Sequence, residues 1–547
     1  KKMIGLLIQD NAYEQDIREL LMSFYPGETY AHEVKEGVDF YVQTRLEDGE
    51  AVIGIWEKLE NGEELEGWTL TAHSTGKADL SDHSATKNVI KKLFYQMLVK
   101  RTGHELPWGS LTGIRPTKIA LSRLEDGWKE EDIRKFMKET YMTSDEKINL
   151  SIEIAAREKR LLEPLDYDRG YSLYVGIPFC PTTCLYCSFT SYPISKWKGR
   201  TGLYLEALFK ELEYTAEKMK GRPLDTIYFG GGTPSQLQQA DFERIFEAAD
   251  RLFGTSSCTE ITLEANPDDM TPEYVASLRN LPFNRISMGV QSFKEKDLRF
   301  LNRRHNREQA LRAVGLCKEN GIQNISIDLI YGLPGQTLEE WQENLDDAIR
   351  LEIPHISAYH LIYEEGTALY KLMEAGKVTP IEEDLSVTLF STLINRLTEA
   401  GYLHYEISNF GRPGYFSRHN SSYWTGTKYI GIGPSAHSYN GESRQWNISS
   451  LPRYLQGIKA GIPDIEIEEL DINTKYNDFI ITGLRTMWGI RTADIRERFG
   501  EEKQTYLEQQ AATYLRQGLL IRENDTLTLS KKGIFISDGI MSDLLWV

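Results

Sequence analysis

The sequence predicts an α/β protein. Its centre is expected to be an open six-unit (β/α)6 partial barrel, with an α+β domain before it and a mostly helical, winged-helix-like domain after it. Three observations predict this. From Tyr171 to about Glu399, apolar β-prone runs alternate with helical segments, and repeated βα units imply a parallel sheet with right-handed crossovers. The predicted strands end in glycine or polar residues, which is where α/β folds keep their reactive groups. At 547 residues the chain has room for several cores.

Residues 1–165 are expected to form the first domain. β-like runs at Met3–Ile8, Val38–Leu46 and Ala51–Lys58 flank a helical stretch at Tyr13–Ser23, and an amphipathic helix follows at Ala85–Lys100. Gly109–Lys118 breaks the pattern, and a helix near Ser144–Leu162 resumes it. The polar Pro/Gly stretch Glu163–Gly170 then marks the boundary.

Residues 166–400 carry the barrel. Its strands are predicted at Leu173–Ile177, Thr226–Gly230, Glu260–Ala265, Arg285–Gln291, Asn324–Tyr331 and His355–Ile362, with helices such as Gly202–Met219 and Gln239–Leu252 between them. Residues 401–547 differ. Gly- and aromatic-rich loops are expected through Asn440, then helices near Asn473–Met487, Thr492–Phe499 and Thr505–Gln517. Gly518–Leu529 reads as a hairpin turning at Glu-Asn-Asp. Helices with a hairpin suggest a winged-helix-like module, and the chain's acidic balance points to packing or a lid rather than DNA binding.

The formal net charge is −18, which argues against a nucleic-acid surface. No apolar run is long enough to span a membrane. The first residues are too short an apolar run, and too soon charged, for a secretion signal. A cytoplasmic, reducing setting is therefore expected, with thiols free for metal.

Three of the five cysteines, Cys180, Cys184 and Cys187, form C-x-x-x-C-x-x-C at the end of the first barrel strand. A [4Fe–4S] cluster normally takes four thiolates, so three close ones suggest a cluster with one iron open to chemistry. A disulfide with an odd thiol, a zinc site and a redox thiol are the other readings. Ser188, Phe189 and Thr190 supply no fourth ligand for zinc. Cys258 and Cys317 read as buried small residues.

The other strand ends add chemistry. Strand two ends in Gly230-Gly231-Gly232-Thr233-Pro234, where glycines let backbone approach a ligand. Strand three ends in Glu264 and Asn266, and strand four in Gln291 and Ser292. Arg303, Arg304 and His305 follow as a basic cluster. Strand five holds Asp328 among apolar neighbours, which is costly unless the carboxylate is paired or bound. Each residue taken singly is also open to a capping or ion-pair role. Together, at one mouth, they point to a ligand site.

The C-x-x-x-C-x-x-C triplet with G-G-G-T-P resembles the radical S-adenosylmethionine superfamily. More narrowly, Y-V-G-I-P-F-C, Y-F-G-G-G-T-P-S, G-V-Q-S-F and D-L-I-Y-G-L-P-G-Q-T are similar to the oxygen-independent coproporphyrinogen III dehydrogenase family over about residues 170–545. L-T-G-I-R-P-T-K, Leu111–Lys118, resembles its HemZ branch. The resemblance implies a [4Fe–4S] cluster on Cys180, Cys184 and Cys187, with Tyr174 and Tyr186 beside it. It places S-adenosyl-L-methionine on Gly231, Gly232, Thr233, Glu264, Gln291, Arg303 and Asp328, with backbone contact at Ile362. The implied reaction is oxidative decarboxylation of coproporphyrinogen III to protoporphyrinogen IX, with Arg304 as the expected partner of a substrate carboxylate. A low-potential donor such as flavodoxin or ferredoxin is the implied protein partner.

Three features depart from the dehydrogenase pattern. Phe189 stands where it has a further Cys, and Gly176 where it has His. The stretch Tyr405–Tyr439 looks more like the HemW haem-chaperone branch, and His419, Asn420, Tyr423 and Trp424 match that branch's H-N-x-x-Y-W motif. Read from the residues, His419 is either an axial ligand to a haem or a satisfied histidine in an aromatic cluster.

Overall fold

The computed structural model describes residues 3–34, 36–58, 67–112, 117–162 and 170–547. The chain divides into two compact units, residues 1–162 and 163–547.

The first unit is built on a five-stranded sheet. Its strands run in the order Thr29–Ala31, Met3–Ile8, Phe40–Glu47, Glu50–Lys58, Trp68–Lys77. The helices Glu14–Phe24 and His83–Thr102 bury Ile17, Leu20, Leu21, Ile90, Phe94 and Leu98 in a core shared with Ile53 and Ile55 of the sheet. Asp82 caps the second helix by accepting from the Ala85 N–H, and Gly103 ends it at φ +68°. The strand Trp68–Lys77 and the helix Glu130–Tyr141 were not anticipated. That strand alternates Thr, Ser and His along a sheet edge, so it lacks the apolar run that marks an inner strand. Gly113–Pro116 of the HemZ-like motif, and Glu163–Arg169 of the expected boundary, lie outside the described residues.

The second unit contains the barrel. Six parallel strands, β1 (Tyr171–Ile177), β2 (Leu224–Gly231), β3 (Glu260–Ala265), β4 (Arg285–Gln291), β5 (Ile325–Tyr331) and β6 (His355–His360), pair in sequence order. Each reads as a nearly continuous buried run, as a sheet covered by helices requires. Helices α1 (Thr201–Lys218), α2 (Gln239–Phe253), α3 (Pro272–Leu278), α4 (Arg307–Glu319), α5 (Leu338–Arg350) and α6 (Glu383–Glu399) connect or follow them. Their apolar faces, including Leu208, Phe242, Val275, Val314 and Leu345, share one core with the strands. Reciprocal caps start α4 at Asn306/Gln309 and α5 at Thr337/Glu340.

The sheet does not stop at residue 400. The stretch expected to be loops supplies β7 (Leu403–Glu406) and β8 (Asn409–Gly411) beside β6. It also supplies the short helix α7 (Arg418–Trp424) and β9 (Lys428–Ile432), which pairs in parallel with β1. β10 (His437–Tyr439), β11 (Ser443–Asn447) and β12 (Ile465–Glu469) extend that edge as an antiparallel meander. The boundary expected between residues 400 and 401 therefore cuts through a single sheet. These strands are short and carry glycines such as Gly431, which hid them. A Cβ on Gly431 would sit 2.4 Å from the His437 carbonyl oxygen, so the glycine permits the pairing instead of breaking it.

The C-terminal helices Ile472–Leu484, Thr492–Phe499 and Glu501–Arg516 pack with the hairpin Leu520–Glu523/Thr526–Leu529 around Tyr476, Ile480, Leu507 and Leu527. A short strand, Ile490–Arg491, pairs with the hairpin, which completes a winged-helix-like arrangement. No helix among the described residues is long and apolar enough to cross a membrane.

Candidate active site

A cavity of about 470 Å³ opens at the C-terminal ends of the barrel strands. Cys180, Cys184 and Cys187 line it, and all three thiols are free and half-buried. Cys180 lies just past β1 in a two-residue ribbon, Phe179–Cys180, paired with Tyr192–Pro193. The Cys187 N–H donates to the Cys184 carbonyl at 3.2 Å, which sets the turn between them. Thr233 Oγ1 donates to Cys180 Sγ at 3.3 Å, and the Arg303 guanidinium donates to Cys184 Sγ at 3.3 Å. Burial pushes the Cys187 thiol up to about 11 and raises Cys180 too. These sulfurs therefore need added positive charge to ionise. Among the described residues no trio of His, Cys, Asp or Glu is arranged around a single metal ion. Three thiols spread along one loop suit a multi-iron cluster instead.

The Gly-rich turn is fitted to this loop. The Gly232 N–H donates to the Ile177 carbonyl and the Thr233 N–H to the Phe179 carbonyl, both at 2.8 Å. A Cβ on Gly232 would lie 2.8 Å from each of those carbonyl oxygens and 3.0 Å from Cys180 Sγ. Only glycine fits there.

Two half-buried carboxyl groups, Glu264 and Asp328, line the same cavity. Burial pushes Glu264 up to about 7, against a hydrogen bond from Tyr228 Oη at 2.6 Å. Burial likewise pushes Asp328 up to about 6, against the nearby Ser357 hydroxyl and the attraction of Arg285 and Arg303. Arg303 donates to Asn266 Oδ1 at 2.9 Å and to the Gly289 carbonyl at 2.5 Å, while its buried Nε has no partner. Gln291 sits at φ +67° where the β4–β5 register slips between Gly289 and Gln291. A left-handed non-glycine at a bulge is strain typical of functional sites.

Of the residues singled out by sequence, Cys180, Cys184, Cys187, Tyr186, Gly231, Gly232, Thr233, Glu264, Gln291, Arg303, Arg304, Asp328 and Ile362 line the cavity. Tyr174 does not. Its ring stacks on Tyr228 at 6.2 Å, behind the wall. Arg304 reaches the cavity but is ion-paired with Asp268 and Asp269. Ser292 turns away, buried against Asp297 and Asn344. The basic cluster loses His305, which hydrogen-bonds the Val290 carbonyl at 2.9 Å. Burial, with Arg303 nearby, pulls it down to about 3, so it carries no charge.

His419, Tyr423 and Trp424 also lie off the cavity, whereas Asn420 lines it. His419 is 1% exposed. Its Nδ1 is hydrogen-bonded to Thr226 Oγ1 at 2.8 Å and its Nε2 to Tyr423 Oη at 2.9 Å. Its ring stacks on Tyr228 at 4.8 Å. Of the two readings left open by the sequence, the structure has the satisfied histidine in an aromatic cluster. Trp424 lies under the Arg485 guanidinium, 5.0 Å from its ring centroid.

Sequence reasoning missed Tyr228, Arg285, Ser357 and Tyr359 as lining residues. The signal was strand alternation. Arg285, Ser287, Gly289 and Gln291 on β4, and His355, Ser357 and Tyr359 on β6, are every second residue and share the inner face.

Residues 174–348 match the radical SAM superfamily, and residues 470–536 match the HemN C-terminal domain. The haem chaperone HemW of Bacillus subtilis is 31% identical over 376 residues, covering 68% of this chain and 99% of that protein. The oxygen-independent coproporphyrinogen-III oxidase-like protein HemZ of the same organism is 31% identical over 386 residues, covering 69% of this chain and 76% of HemZ. The structure of coproporphyrinogen III oxidase HemN from Escherichia coli superposes with a TM-score of 0.61 over 71% of this chain and 93% of HemN, and at 24% identity it shows a shared fold. The chain belongs to the radical SAM superfamily, whose members use a [4Fe–4S] cluster and S-adenosylmethionine, within the family that holds HemN, HemZ and HemW.

Proposed function

We propose that the chain is a radical S-adenosylmethionine enzyme that decarboxylates coproporphyrinogen III oxidatively to protoporphyrinogen IX. The observation that carries this over haem carriage is the closed state of His419, whose two ring nitrogens are both taken by protein groups. With its cosubstrate, the bound cluster supplies reductive radical chemistry. Cys180, Cys184 and Cys187 would hold it. Thr233 and Arg303 donate to two of those sulfurs and offset their charge. Gly231 and Gly232 let backbone approach the ligand. Glu264 and Asp328, half-buried carboxyls on the cavity lining, suit the sulfonium and ammonium of S-adenosylmethionine. Gln291 and the orphan Arg303 Nε offer neutral and cationic donors to its polar groups.

A second reading, a haem chaperone, is favoured by Phe189 in place of the further Cys and by the HemW relatives. Anaerobic incubation of the reconstituted protein with coproporphyrinogen III separates the two. Vinyl products with release of carbon dioxide are expected. Stoichiometric haem binding without decarboxylation would replace the proposal by the second reading.

Two further results are expected at the carboxyls. Asp328→Asn should weaken S-adenosylmethionine binding by about 1–3 kcal/mol with iron content unchanged, read by equilibrium binding. Full affinity would place the cosubstrate elsewhere. The second result concerns pH. Glu264 and Asp328 keep their protons in the folded state up to about 7 and about 6, whereas unfolded they ionise in the ordinary carboxylate range. Between those limits the native state binds more protons, so stability falls as pH rises and levels off above about 7. The slope per group is on the order of 1.4 kcal/mol per pH unit. In denaturant titrations across this window, Glu264→Gln should show a shallower fall than the parent. An equal slope would show that Glu264 ionises normally.

A further inference from the structure

The loop that carries the cysteines continues into a patch of charge opposite to that of the whole chain. The chain's formal net charge is −18, yet no Asp or Glu occurs from Tyr171 to Leu205. Lys196, Lys198 and Arg200 fall inside that stretch, and all three are exposed. None of them is ion-paired among the described residues. The next acid along the chain, Glu206, is engaged by Arg244 at 3.5 Å.

The patch is tied to the cysteine loop in two ways. Cys180 pairs with Pro193 across the two-residue ribbon. Lys196 is three residues further on, a span of at most about 10 Å, with about 5 Å across the ribbon. Trp197, between the two lysines, packs on Phe179 at 5.9 Å and on Tyr192 at 6.3 Å. Tyr192 is itself anchored, its hydroxyl donating to the Ser449 carbonyl at 3.1 Å and accepting from the Leu451 N–H at 2.8 Å. The cations therefore stand on a braced support. On the open side of the loop, Thr182, Thr183, Ser188 and Phe189 are exposed beside the cysteines.

We infer that Lys196, Lys198 and Arg200 form the docking surface for an acidic, low-potential one-electron carrier protein. The inference rests on the reading of the cysteine loop as the cluster site. A [4Fe–4S] centre that cleaves its cosubstrate takes one electron per event from outside, and the carrier is oxidised by that one electron. Two acidic proteins repel at long range. A local unpaired cationic patch next to the acceptor reverses this and orients the encounter.

The test uses the full chain and reduced or oxidised flavodoxin as the probe. Binding of oxidised flavodoxin is followed by fluorescence titration over a salt series, with and without the reconstituted cluster. S-adenosylmethionine cleavage is then driven either by reduced flavodoxin or by dithionite. The parent should bind flavodoxin more weakly as salt rises. The triple variant K196E/K198E/R200E should lose about tenfold or more of that affinity at low salt. It should lose flavodoxin-driven cleavage in proportion and keep dithionite-driven cleavage, which also reports that it is folded. The neutral variant K196Q/K198Q/R200Q should fall between. Equal flavodoxin affinity in parent and triple variant overturns the docking surface, as does preferential binding of the patch to anionic vesicles or RNA. Absence of dithionite-driven cleavage in the parent would instead overturn the cofactor reading, and the titration without cluster still decides the docking.

Discussion

Replacing Cys180, Cys184 or Cys187 singly by Ala is expected to give a folded protein that holds no normal [4Fe–4S] centre and does not cleave S-adenosylmethionine. The three cysteines line one cavity, and each is to bind a separate iron. None of them belongs to the buried core cluster of the barrel, so their loss should spare the fold. Gly232→Ala should approach the same loss with every thiol present. Its new Cβ would meet two carbonyl oxygens at 2.8 Å and Cys180 Sγ at 3.0 Å, so the ribbon or the sulfur must move. Cys258→Ala is the control. Its Sγ donates to the Leu224 carbonyl at 3.4 Å, far along the strand from the cavity end. Iron analysis and electron paramagnetic resonance after anaerobic reconstitution give the answer. A single triplet variant with a normal signal, or a lost signal in Cys258→Ala, would sink the assignment.

The parts legible in sequence are those whose cause is local. The barrel strands are buried on both faces, so they stand out as apolar runs, and β3 and β4 match their predicted bounds. The cysteine loop and the Gly-rich turn are legible because backbone chemistry restricts their residues to few types. What escaped depends on distant partners. β9 becomes a strand because it pairs with β1, more than two hundred residues earlier in the chain. Arg304 looked free for a substrate carboxylate until Asp268 and Asp269 were brought beside it. Ser292 and His305 sit next to lining residues in sequence but on the opposite side of the backbone.

His419 is the sharpest case, and it carries the remaining large effect. Its partners come from α7 itself and from strands far upstream. Thr226 and Tyr228 belong to β2, and the His419 N–H donates to Glu260 of β3 at 3.0 Å. His419→Ala should therefore destabilise the fold by about 2–4 kcal/mol, from a cavity and two orphaned hydroxyls. His419→Gln should recover part of this by restoring a hydrogen bond to Thr226 or Tyr423, but not the stacking on Tyr228. Burial pulls the His419 imidazole down to about 3, so it is neutral in the fold but gains a proton below about 6.5 when unfolded; the loss should be full above that pH and shrink as pH falls through it. An axial haem ligand predicts a different pattern. A ligand nitrogen would have to leave Thr226 or Tyr423 and emerge from a site 1% exposed. Ala and Gln would then abolish the haem bands alike, with little change in unfolding free energy. Denaturant titration of the ligand-free variants, set beside haem absorption spectra, distinguishes the two. Haem bands that require His419, in variants as stable as the parent, would show that the buried histidine opens to bind iron and would give the chaperone reading precedence.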